Sequence, residues 1–208
     1  MKLELKQRKA VWLSFATIAA CVISYKFFDV PVARYCTMVD YRIKNIFALI
    51  TNLGISTPYL AAAPAVFVYF RFVKKNKILA NAAAFLFAAV LLSGLANDLV
   101  KIMVGRTRPG LLFSQGIKGF VPFTDQYNYA SFPSGHANTI AALCYGLCMA
   151  GFRFKYILLS VALSVMASRV IVGAHFPSDV MFGAYLGVVV TELTAAGFEK
   201  RGFPIRRQ

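Results

Sequence analysis

Residues 78–100, ILANAAAFLFAAVLLSGLANDLV, decide the fold: in this run the only charged side chain is Asp98, close to its end. As a helix rising about 1.5 Å per residue it spans about 34 Å, enough to cross the roughly 30 Å hydrocarbon core of a bilayer. Further apolar runs lie outward from it, at residues 10–28, 56–72, 134–152, 156–172 and 177–198. Together they predict an all-α fold, a six-helix transmembrane bundle in one domain over residues 1–208. Composition agrees, since 59% of the 208 residues are hydrophobic, 15% are charged and the mean hydropathy is +0.63. Segment 39–53 has another pattern. Val39, Ile43, Ile46, Leu49, Ile50 and Leu53 share one helical face, and Asp40, Arg42, Lys44 and Asn45 lie elsewhere. This fits an interfacial amphipathic helix, or equally a polar extension of the second span.

The net charge of +15 comes from 23 Lys and Arg against 8 Asp and Glu. In a soluble chain that balance would point to nucleic acid. Here the basic residues flank apolar runs, where anionic headgroups and orientation explain them, so a membrane and not a nucleic acid is the expected partner. Of the 23, fourteen fall on the side of the two termini and nine on the other. The positive-inside rule then places both termini in the cytoplasm. Residues 1–21 have a basic start, an apolar run and an Ile18-Ala-Ala-Cys21 ending that resembles a lipoprotein cleavage box. Because the apolar run continues to Phe28, an uncleaved first span is expected. Cys144 and Cys148, one helical turn apart, read as packing residues, and no cysteine or histidine spacing suggests a metal site. Cys36 lies outside the spans and is expected to be the one thiol reachable from outside.

Three polar clusters sit where the chain should be apolar: Lys101 to Pro109 (KIMVGRTRP), Pro133-Ser134-Gly135-His136, and Ser168-Arg169 followed by His175 and Asp179. The six-span layout brings all three to one membrane face, and both histidines of the chain are in them. Lys101, Arg108 and Arg169 supply cations suited to phosphate oxygens, the arginines through paired donors. Ser134 is placed to cap a helix whose first amides, those of Gly135 and His136, face an anion with the positive end of the dipole. His175 is expected in a turn after Gly173, with Pro177 opening the next helix. Asp179 would then fold back onto the imidazole, fixing its tautomer and freeing the other ring nitrogen to attack. The chemistry these groups suit is phosphoryl transfer.

In order and spacing these residues resemble the type 2 phosphatidic acid phosphatase superfamily, with its pattern K-x6-R-P, P-S-G-H and S-R-x5-H-x3-D. The chain matches it at Lys101, Arg108, Pro109, Pro133, Ser134, Gly135, His136, Ser168, Arg169, His175 and Asp179, with no departure. The resemblance implies that His175 attacks phosphorus to form a phosphohistidine, Asp179 orients it, and His136 protonates the leaving group. Lys101, Arg108, Ser134, Gly135 and Arg169 would hold the phosphate, with no metal and no other cofactor. The implied protein is a lipid phosphatase of the bacterial inner membrane, its site facing the periplasm. Its substrate would be a phosphate monoester or pyrophosphate on a phospholipid or phosphoglycolipid: lipid A, phosphatidylglycerophosphate, undecaprenyl pyrophosphate or phosphatidic acid. The stretches at residues 119–124 and 129–136 resemble small bacterial members acting on envelope lipids, lipid A phosphatases among them. A phosphotransferase would carry the same residues. So would a vanadate-dependent haloperoxidase, against which six spans speak. A non-catalytic binder of anionic lipid is opposed by the intact His136, His175 and Asp179.

Other residues have open readings. Asp98 either positions Lys101 or forms a local pair with it. Arg106, outside the pattern, is expected to anchor the interface, and Glu192 to face the bundle near the cytoplasmic end. The aromatics of loop 110–132 (Phe113, Phe120, Phe123, Tyr127, Tyr129 and Phe132) suit either a lid over a lipid or an anchoring belt. Nothing in the sequence specifies an oligomeric state.

Overall fold

The computed structural model describes residues 2–206, with side chains described from Val11 onward. Helix α1 (Lys2–Ile23) passes through a wide π turn at Ser24–Phe28 into α2 (Asp29–Thr37), so the helical path continues past Cys21 without a break. After a bend, Asp40 starts α3 (Tyr41–Ile50) by accepting from the Arg42 amide at 2.7 Å. A tight turn, Thr51–Gly54, leads to α4 (Thr57–Val68). The long α5 (Lys77–Val104) follows, capped by Asn76 and ended by Gly105 at φ +58, where a Cβ would run into the Val121 carbonyl. Short α6 (Pro109–Gln115), α7 (Gly135–Met149), α8 (Lys155–Ile171) and α9 (Pro177–Lys200) complete the order.

Among the described residues, four helical stretches are long and apolar enough to cross a membrane: Val11–Thr37, Tyr41–Val73, Lys77–Val104 and Pro177–Lys200. Helices α7 and α8, with 15 and 17 residues, are shorter than this measure requires. The chain is therefore a helical, multi-pass membrane protein, and length with hydropathy alone does not return the expected six. The physical reason lies in α7. It starts only after Ser134, which is tied to α9, and it ends at a turn closed by Ala150 and Gly151 amides on Gly146 and Cys148 carbonyls. The 39–53 segment is helical as expected, and Ile43, Ile46, Leu49 and Leu53 are exposed. Its other side, with Phe47, Ile50 and Thr51, turns to the bundle, and it joins α4 in one membrane-length stretch.

Helix α7 packs against α5, α8 and α9. Its approach to α9 is governed by small residues: a Cβ at Gly183 would lie 2.5 Å from the Ser134 carbonyl, and one at Gly187 2.5 Å from that of Asn138. Two glycines four apart on a membrane helix let backbones meet in this way. Because they meet, the Ser134 amide donates to the Asp179 carbonyl at 3.0 Å, joining the second and third clusters. Ile140, Cys144, Ala162 and Val165 form a buried cluster between α7 and α8, and Phe85, Ala89, Ala195 and Ile205 another between α5 and the C-terminal region. The Tyr145 hydroxyl donates to Glu192, which does face the bundle.

The loop after α5 is tied down by backbone bonds. Val121 donates to Gly105, Thr107 to Gly119 and Ser131 to Arg106, at 2.7, 3.1 and 3.0 Å. Its aromatics divide: Phe123 and Tyr127 are exposed, whereas Phe132 packs on Phe182 at 4.8 Å. The expectation for Cys36 fails. Its thiol is free but only 6% exposed, because the end of α2 turns it inward.

Candidate active site

His175 lies in the turn between α8 and α9, where the Ala174 and His175 amides both donate to the Arg169 carbonyl, at 3.1 and 3.2 Å. Phe176 is the N-cap of α9 and Pro177 its first residue, as the sequence suggests. The ring is 2% exposed, and its Nδ1 sits 2.7 Å from the Ser131 carbonyl oxygen. A carbonyl can only accept, so Nδ1 carries the proton and Nε2 keeps its lone pair. Burial holds this imidazole well below the ordinary histidine range, at about 4; the Asp179 carboxylate opposes that shift and the Arg108 and Arg169 charges add to it.

Asp179 departs from the expected geometry. Its Oδ2 stands 3.9 Å from His175 Nδ1 and accepts instead from the Ser131 hydroxyl at 2.6 Å and the Phe176 amide at 2.9 Å. Its Oδ1 accepts from Arg106 at 2.5 Å. The carboxylate is thus spent on the α9 N-terminus and on two side chains, and Ser131 stands between it and the ring. The shift follows from Asp179 occupying the third helical position, where a carboxylate reaches back to the N-cap amide. Arg106 also departs from its reading as an interfacial anchor: it is 4% exposed. Gly105, in its left-handed conformation, turns the chain so that Arg106 points inward.

The remaining motif residues gather around His136 and the start of α7. A Cβ on Gly135 would lie 3.7 Å from Lys101 Nζ, so the first cluster meets the second there. Lys101 also pairs with Asp98 at 3.6 Å, the local (i, i+3) arrangement. Arg169, His175, Lys101 and Arg108 are all near enough to His136 to act on it electrostatically. Arg108 is held by carbonyls, donating to Tyr127, Ala174 and Ala130 at 2.8, 3.1 and 3.1 Å, with its guanidinium over the Tyr127 ring. Arg169 donates to the Thr51 hydroxyl at 2.7 Å, and its Nε is buried without a partner. Ser134 is the N-cap of α7 by backbone, but its hydroxyl makes no capping bond and is likewise buried and unpartnered. Two arginines without carboxylates and an idle hydroxyl, beside a helix N-terminus, are what a bound anion would complete.

Several neighbours of the site were not singled out from the sequence. Asn97, one turn before Lys101, is 1% exposed with neither amide atom bonded, and its Nδ2 lies 3.7 Å from the same Gly135 position. Thr51 and Gly54 bring the turn after α3 against Arg169 and His136. Ser131 and Asp29 support Asp179 directly and through Arg106. A signal existed for two of them: Asn97 and Asp29 are polar residues within or beside apolar runs, where such groups seek partners inside the bundle.

Known proteins are similar to this chain in sequence and in fold. The PAP2 superfamily model matches residues 82–203, which contain all three clusters. Over 198 residues the chain is 30% identical to a lipid A 1-phosphatase of Rhizobium johnstonii, covering 90% of this chain and 80% of that protein. It is 31% identical to a lipid A 1-phosphatase of Rhizobium etli, with 90% and 84% covered. Its fold is similar to the crystal structure of the first transmembrane PAP2 type phosphatidylglycerolphosphate phosphatase from Bacillus subtilis, with a TM-score of 0.68, 21% identity and coverage of 93% and 96%. It is also similar to that of Aquifex aeolicus LpxE, with a TM-score of 0.59, 21% identity and coverage of 80% and 93%. With the family match extending over more than half its length, this chain belongs to the PAP2 superfamily.

Proposed function

We propose that the chain is a lipid phosphatase that removes the 1-phosphate of lipid A, or of an envelope lipid like it, through a phosphohistidine on His175. The observation that carries this reading is the group of motif side chains around His136: Arg169 Nε and Ser134 Oγ buried without partners, Lys101 Nζ beside Gly135, and His175 with Nδ1 already committed. In the first step the Nε2 lone pair forms a bond to phosphorus as the bond to the lipid oxygen breaks. His136 gives its proton to that oxygen, and Lys101, Arg108 and Arg169 hold the three equatorial oxygens. In the second step water attacks the phosphohistidine, His136 takes back a proton, and inorganic phosphate leaves. The choice of lipid A rests on the two Rhizobium relatives, each aligned over 90% of this chain. Helices α7 and α8 complete six crossings, with α3 at the interface. The basic residues flanking the runs favour cytoplasmic termini in the inner membrane and a site open to the periplasm.

The test uses purified protein and lipid A labelled in its 1-phosphate. Native protein should release labelled phosphate and, on quenching in alkaline denaturant, where a phosphohistidine survives, retain label on histidine. His175→Ala should do neither. Turnover by His175→Ala at a rate near native, or release from phosphatidylglycerophosphate but not from lipid A, would refute the mechanism or the substrate respectively.

A further inference from the structure

An ordinary α-helix places residues three or four apart on one side, but the π turn at Ser24–Phe28 adds one residue, so Ser24 and Asp29 face inward together. The Ser24 hydroxyl donates to Asp29 Oδ1 at 2.9 Å. Asp29 is fully buried and accepts three more bonds, from the Ser178 amide at 3.0 Å, the Ser178 hydroxyl at 2.5 Å and Arg106 Nη2 at 2.7 Å. The other terminal nitrogen of Arg106 reaches Ser178 Oγ at 2.8 Å and Asp179 Oδ1 at 2.5 Å. Its guanidinium also lies over the rings of Tyr25 and Phe176, 4.9 and 4.4 Å from their centroids. Arg106 therefore bridges two buried carboxylates, and its two terminal nitrogens and its faces are taken up by protein.

We propose that Asp29 and Arg106 are positioning residues for phosphoryl transfer, holding Asp179 and, through Ser131, the His175 ring without touching the phosphate. The proposal rests on reading His175 as the nucleophile. The connection is continuous: Asp29 to Arg106, Arg106 to Asp179 Oδ1, Asp179 Oδ2 to the Ser131 hydroxyl, and the Ser131 carbonyl to His175 Nδ1. A guanidinium is suited to this task because its planar fork fixes two acceptors at set angles, which an ammonium does not. Removing Asp29 frees Arg106 to rotate, and Asp179 then loses its fixed orientation. A misplacement of about 1 Å at a reacting centre costs on the order of 10²-fold in rate. The first membrane helix, remote in sequence from every motif, is on this argument part of the catalytic apparatus.

The test compares Asp29→Asn, Arg106→Lys and Arg106→Gln in the purified full chain, reading kcat per folded molecule and the inhibition constant of inorganic phosphate. Asp29→Asn should lower kcat about tenfold and Arg106→Gln about 10²-fold, with Arg106→Lys between Arg106→Gln and native. Phosphate inhibition should stay within about threefold throughout, since neither residue meets the anion. Should Arg106→Gln not fold, the nearly isosteric Asp29→Asn carries the test alone. A native kcat in Asp29→Asn overturns the proposal, as does phosphate inhibition that weakens in step with kcat. Loss only in the amount of folded protein, with kcat per molecule intact, makes the pair a structural staple and also overturns it. His175→Ala is measured alongside: if it is active the reading of the nucleophile fails, and if it is dead while Asp29→Asn is normal only this proposal fails.

Discussion

The two parts of the site that meet at His175 are built on opposite principles. Behind it, the Asp29, Arg106, Ser178 and Asp179 cluster satisfies its polar groups through protein partners at 2.5–3.0 Å and excludes solvent. In front, Arg108 and Arg169 have no carboxylate partner among the described residues, and Ser134 Oγ and Arg169 Nε have no partner at all. A buried cation left without an anion costs free energy that a satisfied one does not. The front is therefore set to gain from a phosphate, and the rear to gain nothing from a ligand and to hold geometry.

The sharpest way to break this division is at His136, on the front. His136→Ala should lower turnover of an alkyl phosphate by about 10²–10⁴-fold, the usual worth of a proton donor. An activated aryl phosphate, whose leaving group needs no proton, should recover most of that loss, whereas His175→Ala stays inactive on both. Equal rescue of the two variants would reverse the assigned roles. A smaller effect is expected at Gly54, where an added Cβ would lie 2.8 Å from His136 Cβ, 2.9 Å from Cδ2 and 3.0 Å from Val165 Cγ1. Gly54→Ala must push His136 aside, so alkyl phosphate turnover should fall about tenfold and aryl phosphate turnover much less. Equal losses on both substrates would show that Gly54 supports the fold and not the proton donor.

The smallest effect sharpens the comparison, because burial from the rear and cations from the front both act on His175. A ring held at about 4 stays neutral and nucleophilic down to near that pH, and is lost only as pH falls through it. In kcat/KM for an aryl phosphate, corrected for the substrate's own titration near pH 6, the acid limb of the free enzyme should lie near pH 4. A limb between pH 6 and 7 would mean the ring is wetter than its surroundings suggest.

The front of the site was legible in the sequence because its chemistry needs particular side chains at fixed offsets from helix ends, and Ser134 and Pro177 mark two starts while Gly173 marks a finish. The rear was not. Asp29 and Arg106 are brought together by a π turn and a left-handed glycine, features that set direction without leaving a repeating pattern. Ser131 was hidden more deeply, since its decisive group is a backbone carbonyl that every residue owns. The apolar runs announced the membrane, yet not the length of α7, because the Ser134 to Asp179 bond and the turn at Ala150 decide where it starts and stops.

The Asp29 to Arg106 contact joins residues 77 apart. A ribosome working at about 5–20 residues per second needs about 4–15 s to deliver the arginine after the aspartate. For that interval the first helix holds an acid whose charge only water or headgroups can meet, which favours keeping that end of the helix at the bilayer surface. Docking of the third cluster then draws it inward, so the event that settles the newborn chain in the membrane also fixes the support behind His175.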